Sequence, residues 1–439
     1  MGHEDRPTVT VRRWRVTAAA LGCVLVAAAC AAPDDGAELA DPTATSSASE
    51  AQASASTAAA AGEADAAPSG AIDWRRGRVE PDPAPVVGRT DVAVTGNRVV
   101  EASSDLAAIE AVVAELPAAP AWVIPWPDPT ADVQQWLVTL VDGRELLVEE
   151  AEVSSSGTVA QVGDEPVPVD ALWNDGRVFV EPAYRGGEMA IDALDDARLV
   201  TDGEIEVTLV GPTDRYAHGV LGDAIEASAI EILDLESQKR TRIEIDAPAV
   251  IEGNSPMLAD VDGDGATDVV VTRSDPTDGA RLEVYRVDGS LLASSAPIGR
   301  PNRWRNQLAV APTGPNGEIE LIDVRTPHLG GTVQFFQLDG DELVLAANSS
   351  SDFTSHVFGS RNLDMGIVAD GTGDGRPDVI VPRQDRRAFA VIARTEAGVD
   401  VTLFELPAEI TTNIAAAATD GGLAVAMGTS DGRLLVWSP

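Results

Sequence analysis

From about residue 72 onward, short apolar runs alternate with Asp-Gly, Asn-Gly and Gly-Asp pairs. Such punctuation predicts many β-hairpins and leaves little room for helix. One stretch departs from it. Over residues 104–116, Leu106, Ile109, Val113 and Leu116 recur at helical spacing behind a Ser-Asp cap, which predicts a single helix.

The hairpin pattern repeats. Residues 257–271, MLADVDGDGATDVVV, resemble residues 366–381, GIVADGTGDGRPDVIV. Weaker copies of the same strand–turn–strand form surround Asp202-Gly203 and Asp420-Gly421, and fainter ones lie near Asp142-Gly143, Thr313-Gly314 and Gly96-Asn97. Successive turns are about 46 to 60 residues apart, enough for four strands each. A repeat of that size is a propeller blade, whereas solenoid repeats are much shorter. The fold class is therefore all-β, a β-propeller of seven four-stranded blades behind a disordered N-terminal tether. The segment 433–437 reads as a last strand, and Ile72-Asp73-Trp74, just past the tether, is the expected partner that closes the ring.

The chain of 439 residues carries 71 Asp+Glu against 31 Lys+Arg, a formal charge of −40. This excess disfavours nucleic acid or an anionic membrane surface as a partner, because phosphate binding draws its affinity from cationic side chains. It fits an exported protein or a binder of cations. Residues 1–29 read as a signal peptide: Arg12, Arg13 and Arg15 precede an apolar stretch that is too short to span a bilayer and ends at Ala27-Ala28-Ala29-Cys30. That ending resembles a bacterial lipobox, with Ala27 where Leu is usual, and implies lipidation at Cys30. The only other cysteine, Cys23, lies in the same segment, so the folded part has no disulfide. Residues 30–70 are rich in Ala, Ser, Thr and acids with almost nothing large, the composition of a linker with a reach of roughly 35 Å. Residues 71–439 hold the propeller.

Asp260, Asp262, Asp264 and Asp268 stand at positions 1, 3, 5 and 9 of D-x-D-x-D-G-x-x-D, with Gly265 at position 6. Calcium takes six to eight hard oxygens, and alternate residues of a tight loop can turn carboxylates inward. An EF-hand would need glutamate at position 12; Val271 stands there within an apparent strand, so the loop caps a hairpin. On these residues the chain resembles the FG-GAP or VCBS repeats of integrin α-chain-like propellers. The resemblance implies calcium held by Asp260, Asp262, Asp264, the Ala266 carbonyl and Asp268. In the second loop it implies Asp370, Thr372, Asp374, the Arg376 carbonyl and Asp378. Thr372 replaces an acidic or Asn position, so that site has one charge fewer.

An arginine follows thirteen residues after each of Asp202, Asp260, Pro312 and Asp370: Arg215, Arg273, Arg325 and Arg383. Two share the pattern R-x-x-H, with His218 and His328. Counted along a strand, these positions fall at the end opposite the acidic loops, roughly 16 Å away. Together with Arg305-Asn306, Arg361-Asn362 and Asn413 they would line a funnel for an acidic ligand. The competing reading is inter-blade ion pairing with Asp214, Asp275 and Asp385. His356 reads as an ordinary loop histidine. The segment 428–432, GTSDG, matches a nucleophile-elbow motif but is followed by a strand instead of a helix, so no catalytic residue is assigned. The combined expectation is an exported protein, lipid-anchored to the outside of the cytoplasmic membrane or to an outer membrane. It would be a calcium-stabilised binding or adhesion module for an envelope glycan or protein. The rival readings are a polysaccharide lyase or hydrolase, with Tyr216, His218 or His328 as acid–base groups, and an envelope-assembly scaffold.

Overall fold

A computed structural model describes residues 95–126, 133–142, 144–149, 151–156, 159–162, 165–168, 178–179, 192–194, 196–216 and 218–439, together with the strand Ala18–Ala20. The architecture is all-β, with several sheets. Cys30, the linker and Ile72-Asp73-Trp74 lie outside the described residues.

Among the described residues, six antiparallel four-stranded units follow one another. Unit I comprises Pro120–Trp126, Gln135–Leu140, Glu145–Glu149 and Glu152–Ser156. Unit II comprises Arg198–Thr201, Ile205–Thr213, Glu226–Asp234 and Arg240–Glu244. Unit III comprises Met257–Ala259, Asp268–Asp275, Gly279–Arg286 and Leu291–Ser295. Unit IV comprises Arg305–Ala311, Glu320–Arg325, Gly331–Asp339 and Glu342–Phe353. Unit V comprises Ile367–Asp370, Asp378–Pro382, Ala388–Thr395 and Gly398–Glu405. Its outer strand also pairs with Ala18–Ala20.

Unit VI is built from both ends of the described chain. Ala415–Thr419, Gly422–Thr429 and Arg433–Trp437 are followed in the sheet by Val112–Glu115, which pairs antiparallel with Arg433–Trp437. The last strand is thus an interior one. The expected helix over 104–116 is not formed. Asp105 caps a single 3₁₀ turn, Leu106–Ala108, by accepting from the Ala107 amide at 3.1 Å, and the chain then extends. Leu106 and Val113 still reach one core cluster, from the turn and from the strand, so the spacing that suggested a helix reports a shared destination. Valine pairs at 112–113 suit the strand better than a helix.

Continuous apolar runs arise in units III to VI because each is covered on both faces. In Asp268–Asp275, Val269 and Val271 pack with unit II residues such as Val207 and Ile230, while Val270 points to unit IV residues such as Val310 and Phe336. Val379 and Val381 likewise pack against unit IV, and Ile380 against unit VI. Alternation along the strand persists, but both sides are core.

The first strands of all six units line one cavity of about 210 Å³, through Pro125, Leu199, Met257, Gln307, Ile367 and Ala415. Residues 95–100 line it too. Thr95 accepts from the Leu258 amide at 2.6 Å, and Asn97 bonds both backbone groups of Val310. Val99–Ser103 then pairs parallel with Ile367–Asp370, and the Ser104 hydroxyl accepts from the Leu423 amide at 2.9 Å. The turn expected at Gly96-Asn97 is therefore not a hairpin but the start of a cord across units III to VI. Gly96, at φ +70, lies so close to the Pro256 carbonyl that a Cβ would sit 2.7 Å from it.

Candidate functional site

The two acidic loops join first to second strands, capping the pairs Ala259–Asp268 and Ala369–Asp378 as hairpins. Each is folded around its leading aspartate. Asp260 Oδ1 accepts from the amides of Gly263 at 2.7 Å and Asp264 at 3.1 Å, and Oδ2 from Gly265 at 2.9 Å. Asp370 makes the same three bonds, to Gly373, Asp374 and Gly375, at 2.7, 3.2 and 2.7 Å. Positive φ angles at Gly263, Gly265, Gly373 and Gly375 turn those amides inward. The closing aspartates accept from the loop's second amide, Asp268 from Val261 at 3.1 Å and Asp378 from Gly371 at 3.1 Å.

In the first loop, one carboxylate oxygen each of Asp260, Asp262 and Asp268 falls within a mutual 4.8 Å, close enough to share one cation. Burial, with help from Asp262 and Asp264, pushes the Asp268 carboxyl up to about 6. Asp264 stands outside this trio and accepts from the Ala266 amide at 2.8 Å. In the second loop, burial, with the charges of Asp370 and Asp374, pushes Asp378 up to about 7. There Arg376 reaches back to Asp374 at 2.7 Å and Ser103 donates to Asp370 at 2.6 Å, so part of the loop's charge already has a partner.

The four arginines are engaged separately. Arg215 donates to the carbonyls of Ile245 at 2.7 Å and Ala249 at 2.8 Å. Arg273 lies 3.7 Å from Glu283, and Arg383 pairs with Asp352. Arg325 ends its strand, its charge acting on buried Asp323. Their direct partners are thus mostly other than the aspartates the sequence suggested. Arg305 forms a buried pair with Asp323 at 2.8 Å, and Asn413 bonds both backbone groups of Val123. Arg361 ties Asp196 at 3.2 Å to Asp223 at 2.8 Å. The Gly359 amide reaches the Val220 carbonyl at 2.9 Å, and Val220, Leu221, Trp304 and Leu363 form a buried cluster. Loops of unit II and of the IV–V connection therefore meet where an open funnel was expected.

Beneath that junction lies a constellation that sequence spacing revealed only in part. His218 Nδ1 bonds Glu252 Oε1, and Ser274, six residues along the strand from Asp268, donates to Glu252 Oε2. The Trp304 indole donates to the Glu252 carbonyl at 3.2 Å, and its ring stacks on His328 with centroids 5.8 Å apart. His328 Nε2 is 3.1 Å from His356 Nδ1, while His356 Nε2 meets the Ser360 carbonyl. Burial pushes His328 down to about 4, helped by the nearby His218, and His356 down to about 3, helped by His328. Burial also holds the Glu226 carboxyl well above the usual range, reinforced by Glu252, Asp196 and Asp223. His356 is 1% exposed and is no ordinary loop residue. Glu226, Glu252 and Trp304 belong to no motif; only the R-x-x-H pattern pointed to this place.

No family model matches the chain, and no curated protein does. Solved structures resemble it distantly. The BBS1N structure in complex with ARL6DN is 13% identical, with a TM-score of 0.39, over 78% of this chain and 98% of that one; a lead-soaked crystal of the same complex gives 12% and 0.37. A glucose dehydrogenase is 13% identical, with a TM-score of 0.36, over 74% of this chain and 99% of that one. Scores this low carry no argument about fold or activity.

Proposed function

We propose that this chain is a six-bladed β-propeller stabilised by calcium, exported and lipid-anchored through Cys30, and that it works as a binding module at the cell envelope. The observation that carries the propeller is the single cavity lined by the first strands of all six units. The shared strand pair between Val112–Glu115 and Arg433–Trp437 supports ring closure. Calcium is supported at the first loop by the trio Asp260, Asp262 and Asp268, with Asp264 and the Ala266 carbonyl completing the set that the repeat family implies. The second loop, through Asp370, Thr372, Asp374, the Arg376 carbonyl and Asp378, is the weaker site because Arg376 competes for Asp374.

The binding face is the end opposite the acidic loops, where Ile225, Leu329 and Phe358 are exposed. Large exposed apolar side chains at a loop junction suit a protein or glycan surface. Titrating the full-length protein with acidic glycans and solubilised envelope proteins tests the module. Saturable binding without turnover, weakened by Phe358→Ala, is the expected result; no binding to any of them overturns it. Turnover of a glycan would favour the second reading, a lyase or hydrolase. The observation behind that reading is His218 held by the buried Glu252 carboxylate, the arrangement of an oriented general base.

Anchoring has its own test. The wild type should incorporate labelled palmitate and Cys30→Ala should not. A wild type without label removes the anchor. Cleavage ahead of Cys30 would also remove the pairing of Ala18–Ala20, leaving Gly398–Glu405 as an outer edge strand.

A further inference from the structure

We infer that the cavity among the first strands binds a small carboxylic acid on Arg98 and Arg198, and that Asp364 holds the place of its carboxylate until displaced. Three separate elements bring these side chains together. Arg198 opens the first strand of unit II, Arg98 lies in the cord, and Asp364 stands in the connection between units IV and V. All three line the cavity. Arg198 Nη1 donates to both Asp364 oxygens, at 3.1 and 2.9 Å, and Arg98 Nη2 pairs with Asp364 Oδ1. Guanidinium forks closing on one carboxylate are how proteins recognise an acidic ligand. Here the chain supplies that carboxylate itself.

The arginines are held in place by groups other than Asp364. The Arg198 guanidinium lies 5.7 Å over the Trp122 ring of unit I, and its Nη2 donates to the Arg361 carbonyl at 3.3 Å. Arg98 Nη1 donates to the Gly366 carbonyl at 3.4 Å. Such preorganisation lowers the cost of ordering a site on binding. Among the described residues, the charged lining is two arginines against one aspartate, the reverse of the balance in a chain with 71 acidic and 31 basic residues. The wall is otherwise largely apolar, with Leu199, Met257, Ile367 and Ile414. A few charged groups in an apolar cavity are the usual make-up of a small-molecule site. At about 210 Å³ it is smaller than the roughly 300–1,000 Å³ of drug-sized pockets, so it suits one small acid and not a polymer. Residues 95–100 of its wall are half-buried, which leaves that side in contact with solvent. Asp364 can yield because residues 354–366 form no strand, and irregular connections open locally at less cost than sheet. A ligand carboxylate in its place leaves both arginines paired. The site lies apart from the exposed loop face and rests on neither the calcium nor the export reading.

The test is calorimetric titration of the full-length protein with acetate, lactate and D-glucuronate, and with D-glucose as the uncharged counterpart of the last. At least one of the three acids should bind saturably with one equivalent, and glucose should not bind. Arg98→Gln and Arg198→Gln should each weaken that binding by about tenfold or more, because a buried carboxylate then loses a charged partner. Asp364→Asn keeps the shape and removes the competing charge, so it should tighten binding by about tenfold. A purely structural ion triad gives a different pattern: all three variants melt lower and none of the proteins binds an acid. That pattern overturns the proposal. So does acid binding that survives both arginine substitutions, or an affinity for glucose equal to that for glucuronate. If Asp364→Asn disturbs folding, as its melting curve would reveal, the wild type and Arg98→Gln decide the matter. A well-folded Asp364→Asn that binds no tighter than the wild type removes the role of Asp364 as the internal competitor.

Discussion

At the scale of single residues, the acidic loops divide their aspartates into those that hold the loop together and those proposed to bind the cation. Asp260 holds three backbone amides, whereas Asp262 accepts one amide and lies 3.7 Å from the Arg286 guanidinium. Asp262→Ala should therefore abolish much of the stabilisation by calcium and leave the calcium-free protein almost unchanged. Asp260→Ala should lower stability even without calcium, by about 1–3 kcal/mol, because the amides lose their acceptor. Melting curves of both variants with and without calcium separate the two roles. Equal loss from both would mean that the loop is shaped by the cation instead of by its own hydrogen bonds. The core offers a comparison. Phe389 stacks on Phe404 at 4.5 Å and meets Trp437 edge-on at 5.0 Å, at the junction of units V and VI. Phe389→Ala should cost about 3–5 kcal/mol in denaturant titration. A loss below 1 kcal/mol would show that the junction can collapse around the gap.

At the scale of the hairpin, the buried aspartates would make the proposed calcium binding depend on pH. Calcium needs ionised carboxylates, while Asp378 sits at about 7 and Asp268 at about 6 without metal. The sign follows from linkage. Both values are raised above the ordinary 3.8, so protonation stabilises the metal-free fold; that contribution is full below about pH 4 and is lost as pH rises through 6 to 7. Without calcium, acidification from about pH 8 to 5.5 should therefore relieve part of the loops' instability. The melting-temperature gain from calcium should shrink over the same range, first at the second loop. Scanning calorimetry at both pH values checks this. A calcium gain independent of pH would mean that neither aspartate is a ligand. The interior strand Arg433–Trp437 gives a second prediction at this scale. Truncation after Gly432 removes a strand paired on both sides and should broaden thermal unfolding, because Val112–Glu115 loses its only partner in unit VI.

For the molecule as a whole, the described core lies in successive layers from unit II through unit VI to unit I, and the acidic loops sit at one end of those layers. Removing calcium should therefore lower the melting temperature by a few degrees without unfolding the chain. With dissociation constants near the millimolar range of extracellular sites, ambient calcium would add about 1 kcal/mol per site. Circular dichroism in excess chelator should retain the β spectrum; its collapse would show that the loops, and not the layers, hold the fold. The cord of residues 95–106 and the junction of Val220 with Gly359 belong to this scale too, since each joins units distant in sequence.

The hairpins around Asp202, Asp260, Asp370 and Asp420, and the turn chemistry of both acidic loops, were legible in the sequence because glycine, aspartate and β-branched residues act within a few positions. The R-x-x-H pattern marked His218 and His328 for the same reason. What pairs with what was not. Val112–Glu115 became a strand, against its helical spacing, because the interior position beside Arg433–Trp437 was its place in the sheet. A seventh turn at Gly96-Asn97 became a cord because its backbone found partners in units III and V and the Asn97 side chain one in unit IV. Arg215 and Arg383 found carbonyls and Asp352, where the spacing suggested a common ligand. Glu252, His356 and Trp304 joined the histidines only when loops from three units met. Local pattern determines turns and strands; non-local hydrogen bonds and burial decide which strand lies beside which, and so which side chains share a site.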